Sequence, residues 1–408
     1  MTNSEATQAL LGTGLLKGLR PVAQMTDEPR AIAYQAPLSE LGQSRLVTGD
    51  NALGQGTDFD SDAAKVKAAA ETLERLCLRS GPPEGLTLAP FAEVENAVDP
   101  AEFLCFSDGQ VDGRRRRAEE LRASPRLWVT ARELISGRRH QVPAELVWLG
   151  VPQTAESIRA ESHSNGAAFG QRVAEEPGRA ALSGLLELIE RDALIGWWHG
   201  CFEARRVLVC SDRVEELRAT LRRYRLETVL IDVTNDLGVP TAVALTLDRT
   251  GGGPGVTCGA ASRLNWNDAA HHAVMESIGY RGPVRLSWAR KSPDPDAPLD
   301  GIDARIWRWY PVERIAELES FVGRLETAER SVEGPKVHAS RLRELLFERG
   351  WRWFLADISL PEITDAGFEA VRVVVPELHP IYFQERMQAL WSRHYGEIPP
   401  SRLPHPLA

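Results

Sequence analysis

The stretch SGLLELIERDALIGWW, from Ser183 to Trp198, decides how the whole chain is interpreted. It contains no Pro, and apolar side chains surround nearly the full helical circumference, so it predicts a helix that is buried on almost every side. Two carboxylates, Glu187 and Glu190, nevertheless stand one turn apart on this helix. Because a buried carboxylate requires a compensating cation, the pair indicates a charged site inside the protein.

A second predicted helix, residues 62–78, carries the same pair of carboxylates. Its two Glu have the same i, i+3 spacing, and an Arg follows the second Glu in both helices. An isolated E-x-x-E-R motif is more often a solvated face with ion pairs, but the apolar flanks of the 183–198 helix argue against that here. If the helices converge, four carboxylates exceed the two Arg and offer the hard oxygen ligands that Mg²⁺ prefers, usually together with phosphates. The candidate metal ligands are therefore Glu71, Glu74, Glu187 and Glu190.

The remainder of the chain alternates helical and strand-like patterns and predicts a mixed α/β, or α+β, fold. The buried helix is predicted over residues 180–198, and a further helix over residues 267–280, started by an Asn or Asp cap. Between them, the strand-like segments 205–211 and 228–234 flank a helical segment. This arrangement favours a βαβ unit with parallel strands.

A glycine-rich connection, residues 248–255, joins two more strand-like segments, 239–247 and 255–261. It most simply closes a β-hairpin. Because these glycines lead into a strand, and because no G-x-x-x-x-G-K-[ST] occurs in the chain, the sequence predicts no P-loop. The last third of the chain predicts a helix over residues 340–350 and strands over 353–358 and 370–376.

The length of 408 residues, 43% of them hydrophobic, allows one large α/β domain or two ordinary ones. Gly and Pro interrupt the first segment, so we expect residues 1–36 to form a poorly structured or loosely attached N-terminal arm. Residues 37–408 are expected to form the main domain. Its end, residues 397–408, is proline-rich and should be an extended, mobile tail.

Charge and composition argue against several classes of partner. With 48 Lys+Arg against 57 Asp+Glu, the net charge of -9 does not favour nucleic acid or an anionic membrane. The arginine run 114–117 precedes acidic residues and is most simply a solvated helix start. Five scattered Cys fit a reducing cytoplasm without a zinc site. No apolar run reaches the ~20 residues of a membrane span, and the N-terminus is unlike a signal peptide, so we expect a cytoplasmic protein.

On these motifs the chain resembles the YcaO family of ATP-dependent enzymes that modify peptide backbones, from about residue 37 to the C-terminus. One family signature is complete: Ser164-Asn165-Gly166, then Ser183-x-x-x-Glu187-x-x-Glu190-Arg191-Asp192, closed by Trp197-Trp198. Another is partial: Gly54-Gln55-Gly56, then Lys67-x-x-x-Glu71-x-x-Glu74-Arg75. In the partial signature Gln55 replaces a Lys of the family and Lys67 replaces a Ser.

Two further motifs and the tail extend the resemblance. Residues 232–240 resemble D-x-T-x-D-x-G-I-P, and the helix motif E-x-x-Q-x-R runs from Glu276 to Arg281 with Gly279 in place of Gln. The chain ends in Pro404-His405-Pro406-Leu407-Ala408, similar to the P-x-P-x-P tail of the azoline-forming members. This ending favours the cyclodehydratase branch over the branches that form thioamides or amidines.

The resemblance also implies a fold, cofactors and residue roles. The implied fold is YcaO-like, with mixed sheets packed by Glu-rich helices that line a nucleotide site, and the implied cofactors are ATP and Mg²⁺. The four Glu of the two helices would bind the metal. The implied nucleotide-binding residues are Lys67, Arg75, Asn165, Ser183, Glu187, Arg191, Glu276 and Arg281. The implied catalytic tail comprises Pro404, His405, Pro406 and the C-terminal carboxylate of Ala408, with His405 or that carboxylate as the candidate base.

The implied function is that of an ATP-dependent cyclodehydratase subunit that forms thiazoline or oxazoline rings from Cys, Ser or Thr of a ribosomally made precursor peptide. The expected partners are the precursor peptide with its leader, a separate leader-binding protein similar to ubiquitin-activating enzymes, and a flavin dehydrogenase acting afterwards. A homodimer or larger complex is expected. Two alternatives stay open: a thioamide- or amidine-forming enzyme, and a non-catalytic scaffold subunit, the latter suggested by Gln55, Lys67 and Gly279.

Overall fold

The computed structural model describes residues 1–47, 52–149, 151, 166–173, 178–328 and 336–407. Its helices are α1 (Asn3–Gly12), α2 (Glu40–Ser44), α3 (Ser61–Arg79), α4 (Asp108–Val111), α5 (Arg114–Ala123), α6 (Arg179–Trp198), α7 (Asp212–Arg223), α8 (Trp266–Gly279), α9 (Arg281–Lys291), α10 (Ile302–Arg308), α11 (Arg314–Val322), α12 (Ala339–Glu348) and α13 (Pro361–Asp365). Its strands are β1 (Arg20–Pro21), β2 (Ile32–Gln35), β3 (Gln55–Asp58), β4 (Thr87–Ala89), β5 (Arg126–Glu133), β6 (Arg139–Pro143), β7 (Ala167–Gln171), β8 (Arg205–Val207), β9 (Leu226–Asp232), β10 (Thr241–Asp248), β11 (Val256–Ser262), β12 (Glu326–Ala328), β13 (Phe354–Asp357), β14 (Phe368–Val374), β15 (Trp391–Ser392) and β16 (Gly396–Glu397).

Two large sheets organise these elements. One has five strands in the order β11-β10-β9-β8-β12, in which only the β8–β12 pair is parallel among the described strands. The other has the order β4-β5-β13-β14-β7, with β6 also pairing with β5. Two smaller sheets, β1-β2-β3 and β15-β16, complete the fold. The prediction of a mixed α/β fold with mixed sheets is confirmed.

Helix α6 connects the two large sheets through its apolar side chains. Its first half, including Leu185 and Ile189, packs in a core cluster with Val373 of β14. Its second half, including Leu194 and Trp198, packs in another cluster with strands β9, β10 and β11. The prediction of a helix buried on nearly every side is therefore confirmed.

The other helices of the sequence analysis are confirmed with small shifts of their ends. α3 and α8 begin one residue earlier than predicted, and α8 is capped by Asn265, whose side chain accepts a hydrogen bond from the Asp268 N–H. The glycine-rich connection closes an antiparallel hairpin between β10 and β11, as predicted. The helix and the two strands of the last third are α12, β13 and β14.

The predicted parallel βαβ unit is wrong. β8 and β9 lie side by side, but they are antiparallel, with Val207 opposite Leu230. After α7 the chain turns at Arg225, whose φ of 59° is left-handed, and β9 begins at the end of the sheet where β8 ends. A strand–helix–strand pattern is compatible with both parallel and antiparallel strands, because it does not specify whether the connection returns to the end of the sheet where it started. The sequence pattern therefore could not give the strand direction.

The first 36 residues pack against the rest of the protein, in contrast to the loosely attached arm that we expected. Leu10, Leu15 and Leu16 are buried in the same core cluster as Leu73 and Leu76 of α3. β1 and β2 join β3 in a three-stranded sheet. Gly and Pro interrupt the apolar residues of the arm, so their pattern did not reveal a buried face. The domain boundary at residue 37 stays a prediction.

The tail is extended, as predicted, but it is packed inside the protein. No helix or strand follows Glu397 within the described part of the tail, which ends at Leu407. The indole N–H of Trp198 donates to the Leu403 carbonyl at 2.6 Å, and an imidazole nitrogen of His199 bonds the Pro399 carbonyl at 2.7 Å. The backbone of the tail is therefore held along the C-terminal half of α6, which corrects the expectation of a mobile tail.

Within the part of the chain that the structure describes, none of the helices combines the length and the apolar character needed to cross a bilayer.

Candidate nucleotide and metal site

Carboxylates from three helices converge around α6. α3 contributes Glu71 and Glu74, α6 contributes Glu187 and Glu190, and α8 contributes Glu276; we call these five residues the carboxylate site. Burial raises the pKa of Glu74 well above its usual range, and the charge of Glu187 adds to this shift. Burial raises the pKa of Glu276 to about 7, with the charge of Glu190 as the next cause. The Glu-rich helices therefore face each other, and α8 joins them.

The backbone at the start of β3 positions Glu71 of α3. The N–H of Gln55 donates to Glu71 Oε2 at 2.9 Å, and the N–H of Gly54 donates to Thr72 Oγ1 at 2.8 Å. A Cβ at Gly54 would lie 2.5 Å from the Thr72 nitrogen, so only glycine permits this close approach. The glycine before Gln55 thus has a packing role that brings strand and helix together.

Glycine has the same role at α8. A Cβ at Gly259 would lie 2.2 Å from the Ala273 carbonyl oxygen, so a side chain there would push α8 away from β11. The close approach lets Glu276 Oε2 accept a hydrogen bond from the Ala260 N–H at 2.8 Å. The small-residue strand that follows the glycine-rich hairpin therefore fixes the position of Glu276.

The ion pairs of the site do not neutralise all of its carboxylates. Arg75 lies 2.5 Å from Glu71, and Arg191 lies 2.9 Å from Glu190 and 3.7 Å from Glu187. Glu74 and Glu276 have no ion pair among the residues that the structure describes. Burial raises the pKa of Glu187 to about 7 even though the charge of Arg191 acts against this rise. The site is therefore short of positive charge at neutral pH.

This shortage fits Mg²⁺ and a nucleotide. The donors are hard carboxylate oxygens, and Mg²⁺ is usually held by one or two carboxylates together with phosphates and waters. Among the described residues, no three Asp, Glu, His or Cys side chains are gathered closely enough to form a complete metal site by themselves. The buried Nε of Arg191 lacks a hydrogen-bond partner within the same residues. That orphaned donor suits a phosphate oxygen beside the carboxylates.

Two arginines that act on the carboxylate site were not predicted from the sequence. Arg372 on β14 is buried, and its charge lowers the pKa of Glu74 and of Glu187 against the larger effect of burial. Arg263 acts in the same way on Glu190 and Glu276. A lone Arg inside the apolar segment 370–376 was a usable signal for the first, whereas the position of the second carries no signal in the sequence.

The other predicted nucleotide-binding residues differ from one another in exposure and in their contacts. Ser183 is exposed in the first turns of α6. Lys67 is half-exposed and pairs with Asp58 at 2.6 Å, and Arg75 donates to the Leu53 carbonyl as well as to Glu71. Asn165, like Ser164, lies outside the described residues.

Arg281 is held by protein groups in the structure, and its predicted contact with ATP phosphates stays a prediction. Its guanidinium is 1% exposed and donates to Glu28 at 2.8 Å, to Asp248 at 2.7 Å and to the Pro254 carbonyl. All of its nitrogens are therefore engaged in a buried ion-pair cluster that includes a residue of the N-terminal segment. Because that segment shows no recognisable buried face in the sequence, this competing partner could not be predicted.

The tail brings His405 to the neighbourhood of α6. His405 is fully buried, and one ring nitrogen, Nε2, donates to the Tyr382 carbonyl at 2.8 Å. Burial lowers the pKa of His405 well below its usual range, and the charges of Arg305 and, more weakly, Arg191 contribute. The other nitrogen, Nδ1, has no hydrogen-bond partner among the described residues. Pro404 and Pro406 flank this neutral imidazole, and Ala408 lies outside the described residues.

A second histidine, missed by the sequence analysis, links α6 to the segment 391–395. Asp192, directly after Arg191, is fully buried and accepts hydrogen bonds from Asn235 at 3.0 Å, from Tyr395 at 2.9 Å and from His394 at 2.9 Å. The other nitrogen of His394 contacts Asp236 at 2.8 Å. Burial opposes a charge on His394, but these two carboxylates together raise its pKa.

Comparison with known protein families gives a match over most of the chain. A family model described as YcaO cyclodehydratase, ATP- and Mg²⁺-binding, matches residues 54–379. This range includes all five residues of the carboxylate site. It ends before residues 397–408, so it carries no information on the tail.

The chain is also similar to solved structures. A heterocyclase in complex with substrate and cofactor has a TM-score of 0.71 and 21% identity over 98% of this chain and 54% of that chain. YcaO from Methanopyrus kandleri, bound with AMPPCP and Mg²⁺, has a TM-score of 0.63 and 20% identity over 93% of this chain and 91% of that chain. At these identities the likeness shows a shared fold, as the sequence analysis predicted.

A curated relative from Rhizobium leguminosarum bv. trifolii is an uncharacterized protein in the tfuA 3' region. It is 27% identical over 293 residues, which are 66% of this chain and 63% of the relative. The chain thus spans less than two thirds of that relative and about half of the heterocyclase.

Proposed function

The chain belongs to the YcaO family, and on this premise we propose that it is an ATP-dependent cyclodehydratase subunit that forms thiazoline or oxazoline rings in a precursor peptide. The family is described as ATP- and Mg²⁺-binding, which confirms the predicted cofactors. The observation that carries the proposal is the carboxylate site, where α3, α6 and α8 bring together more buried negative charge than their arginines neutralise. Such a site suits a Mg²⁺–nucleotide complex.

The side chains of the site have separate roles in this proposal. Glu71, Glu74, Glu187 and Glu190 would hold Mg²⁺, with Glu276 next to them. Arg191 would neutralise phosphate charge through the Nε that lacks a partner among the described residues. When bound, Mg²⁺–ATP supplies the phosphoryl group that converts an amide oxygen into a leaving group. Phosphoryl transfer mainly requires positioning and charge neutralisation, which is what this set of side chains offers.

The tail supplies the candidate base. The proton of the attacking Cys, Ser or Thr has to move to an acceptor, and His405 has an unprotonated Nδ1 because its Nε2 is committed as a donor to Tyr382. Burial keeps this imidazole neutral at physiological pH. Pro404 and Pro406 would hold the ring in place, since each proline restricts the backbone beside it. The C-terminal carboxylate of Ala408 is the second candidate acceptor.

Partners are proposed on the same basis. One of the similar solved structures is a heterocyclase in complex with substrate and cofactor, and two others are a microcin synthetase complex, one of them with pro-MccB17 bound. We expect a separate leader-binding protein, similar to ubiquitin-activating enzymes, to take over substrate recognition, and a flavin dehydrogenase to oxidise the rings afterwards. The assembly would be a homodimer or a larger complex.

The deciding experiment combines the purified protein, its partner, Mg²⁺–ATP and a Cys/Ser/Thr-rich precursor peptide, followed by mass spectrometry. Loss of one water per modified Cys, Ser or Thr, together with ADP and phosphate, is the expected result. Exchange of oxygen for sulfur would identify a thioamide-forming enzyme. Water loss that leaves every Cys, Ser and Thr intact would identify an amidine-forming one. Calorimetry that detects no Mg²⁺–ATP binding would leave only a scaffold role.

A further inference from the structure

A recess rich in arginine lies at the end of the five-stranded sheet where β9 begins. Its volume is about 730 Å³, and five arginines from β8, α7, the turn before β9 and the β10–β11 hairpin line it. We call it the arginine recess. Its arginines are Arg206, Arg218, Arg222, Arg225 and Arg249.

Three of these arginines are not neutralised by neighbours. Arg249 pairs with Glu227 and Glu319, and Arg218 pairs with Glu215 at 2.8 Å. The guanidinium groups of Arg206, Arg222 and Arg225 have neither an ion pair nor a hydrogen bond among the residues that the structure describes. The chain as a whole has a net charge of -9, so three guanidinium groups without ion pairs make this recess a locally positive surface on a negatively charged protein.

A residue that lines the recess also carries a buried hydroxyl without a hydrogen-bond partner among the described residues. Thr228 lines the recess, is only 6% exposed, and its Oγ1 has no hydrogen-bond partner among the described residues. Its neighbour across the strands, Thr246, does have a partner, because its hydroxyl lies 2.7 Å from that of Ser277. A buried hydroxyl without a partner is unfavourable, so Thr228 favours a ligand that brings an acceptor oxygen into the recess.

The shape and lining of the recess restrict the ligand. Guanidinium groups match carboxylates and phosphates through paired hydrogen bonds. The volume far exceeds that of a single phosphate ion, and no aromatic ring lines the described part of the recess to stack on a nucleotide base. Two exposed apolar side chains, Leu208 and Val209, follow β8 directly, and Arg218 donates to the Leu208 carbonyl. Several carboxylates with apolar residues between them, as on an acidic peptide, fit this surface best.

We propose that the arginine recess binds an acidic peptide segment. That the segment belongs to the precursor peptide rests on the proposed function. The recess is separate from the carboxylate site, because the Ser262 backbone, which lies beside Glu190, is near the opposite end of the sheet from Thr228. From Thr228 to Asp232, β9 spans four residues, about 13 Å at ~3.3 Å per residue. An acidic segment anchored here would therefore lie several residues away from the residue being modified.

Binding is tested with the full chain and a fluorescein-labelled octaglutamate peptide, by fluorescence anisotropy. The test variant combines Arg206→Gln with Arg222→Gln. The matched control combines Arg223→Gln with Arg115→Gln, which remove the same charge outside the recess. We expect the test variant to bind octaglutamate at least about tenfold more weakly, since each substitution removes a charged hydrogen-bonding group. The control should stay within about twofold of the unmodified chain, because exposed charges outside the recess contribute little.

Thr228→Val separates ligand binding from a structural role. Valine has a similar shape and removes the unpartnered hydroxyl, so the melting temperature should stay unchanged or rise. Binding of octaglutamate should nevertheless weaken several-fold, because the hydroxyl donates to a carboxylate only in the complex. A variant that binds octaglutamate as tightly as the unmodified chain would remove this part of the proposal.

Three outcomes would overturn the recess as an acidic-peptide site. Octaglutamate does not bind, it binds equally to the test and control variants, or pyrophosphate displaces it at concentrations well below those of unlabelled octaglutamate. The last outcome would assign the recess to a small phosphate ligand instead.

The assignment to the precursor peptide has its own measurement. The test variant should raise the KM for that peptide while kcat stays unchanged, because the recess is distant from the reacting atoms. An unchanged KM alongside weakened octaglutamate binding would assign the acidic segment to another protein. If the unmodified chain modifies no peptide, the proposed function fails while the octaglutamate result still decides the recess.

Discussion

Two buried charged clusters of this protein differ in how their charges are balanced. Around Arg281, the carboxylates of Glu28 and Asp248 pair with Arg281 and Arg285 at 2.7 to 3.0 Å. In the carboxylate site, Glu74 and Glu276 have no ion pair among the described residues, and burial raises the pKa of Glu276 to about 7. A cluster that neutralises itself holds the fold together, whereas a cluster that stays short of cations is arranged for a ligand.

The balanced cluster should respond to mutation mainly through stability. Arg281→Met leaves two buried carboxylates with less positive charge nearby, so we expect it to lower the free energy of unfolding by about 3–5 kcal/mol. Denaturant titration measures this loss. Arg290→Met, on the exposed side of the same helix α9, should change it by less than about 0.5 kcal/mol. If instead Arg281→Met leaves stability intact and abolishes ATP binding, Arg281 is the phosphate contact that the family resemblance implied.

The unbalanced cluster should respond in the opposite way. Glu187→Gln keeps the shape of the side chain and removes one of several mutually repelling charges, so stability should stay the same or rise. The ATP-dependent reaction should fall on the order of 100-fold or more, because one of the proposed Mg²⁺ ligands and its charge are lost. ADP release and thermal melting, recorded on the same sample, test both parts.

The matched control for Glu187→Gln is Glu119→Gln on the solvated helix α5, which should affect neither quantity. A Glu187→Gln protein that is strongly destabilised yet keeps its turnover would place Glu187 among the structural charges, together with Glu28.

The difference between the clusters also explains what the sequence could reveal. The carboxylate site could be recognised from local sequence motifs of its helices. A pair of Glu at i, i+3 inside an apolar stretch is visible in the sequence without knowledge of any tertiary contact. Glu71, Glu74, Glu187 and Glu190 could therefore be singled out, and the structure brings their helices together. The mixed fold and the burial of α6 were visible for the same reason.

Partners that come from distant parts of the chain were not visible. The role of Arg281 depends on Glu28, which is 253 positions away in the sequence, and Asp192 meets His394 over 202 positions. The direction of β8 relative to β9 was likewise set by tertiary pairing rather than by the local pattern. Fold class and local motifs could thus be predicted, whereas the assignment of an Arg to a phosphate or to an ion pair could not.

A smaller difference between the two clusters should appear in the dependence of protein stability on pH. Burial raises the pKa values of Glu187 and Glu276 from the ordinary 4.5 to about 7. Between these values the native state binds more protons than the unfolded chain, so the free energy of unfolding falls as pH rises through this window. We expect a loss of about 1–3 kcal/mol per group without metal. Mg²⁺ with a non-hydrolysable ATP analogue should flatten the decline, and an unchanged slope would contradict a cation site at these carboxylates.

The smallest expected effect on the pH dependence of stability comes from His394, and Mg²⁺ should not remove it. Asp192 and Asp236 raise its pKa above the ordinary 6.5, so the stabilisation by its charge is complete below 6.5 and is lost as pH rises through the native pKa. Because Asp236 is largely exposed, we expect about 1 kcal/mol. His394→Gln should remove this step and leave the Mg²⁺-sensitive decline in place, whereas the exposed His338→Gln should change neither. If His394→Gln abolishes the Mg²⁺-sensitive part as well, Asp192 couples the segment 391–395 to the carboxylate site, and the two pH-dependent steps have one origin.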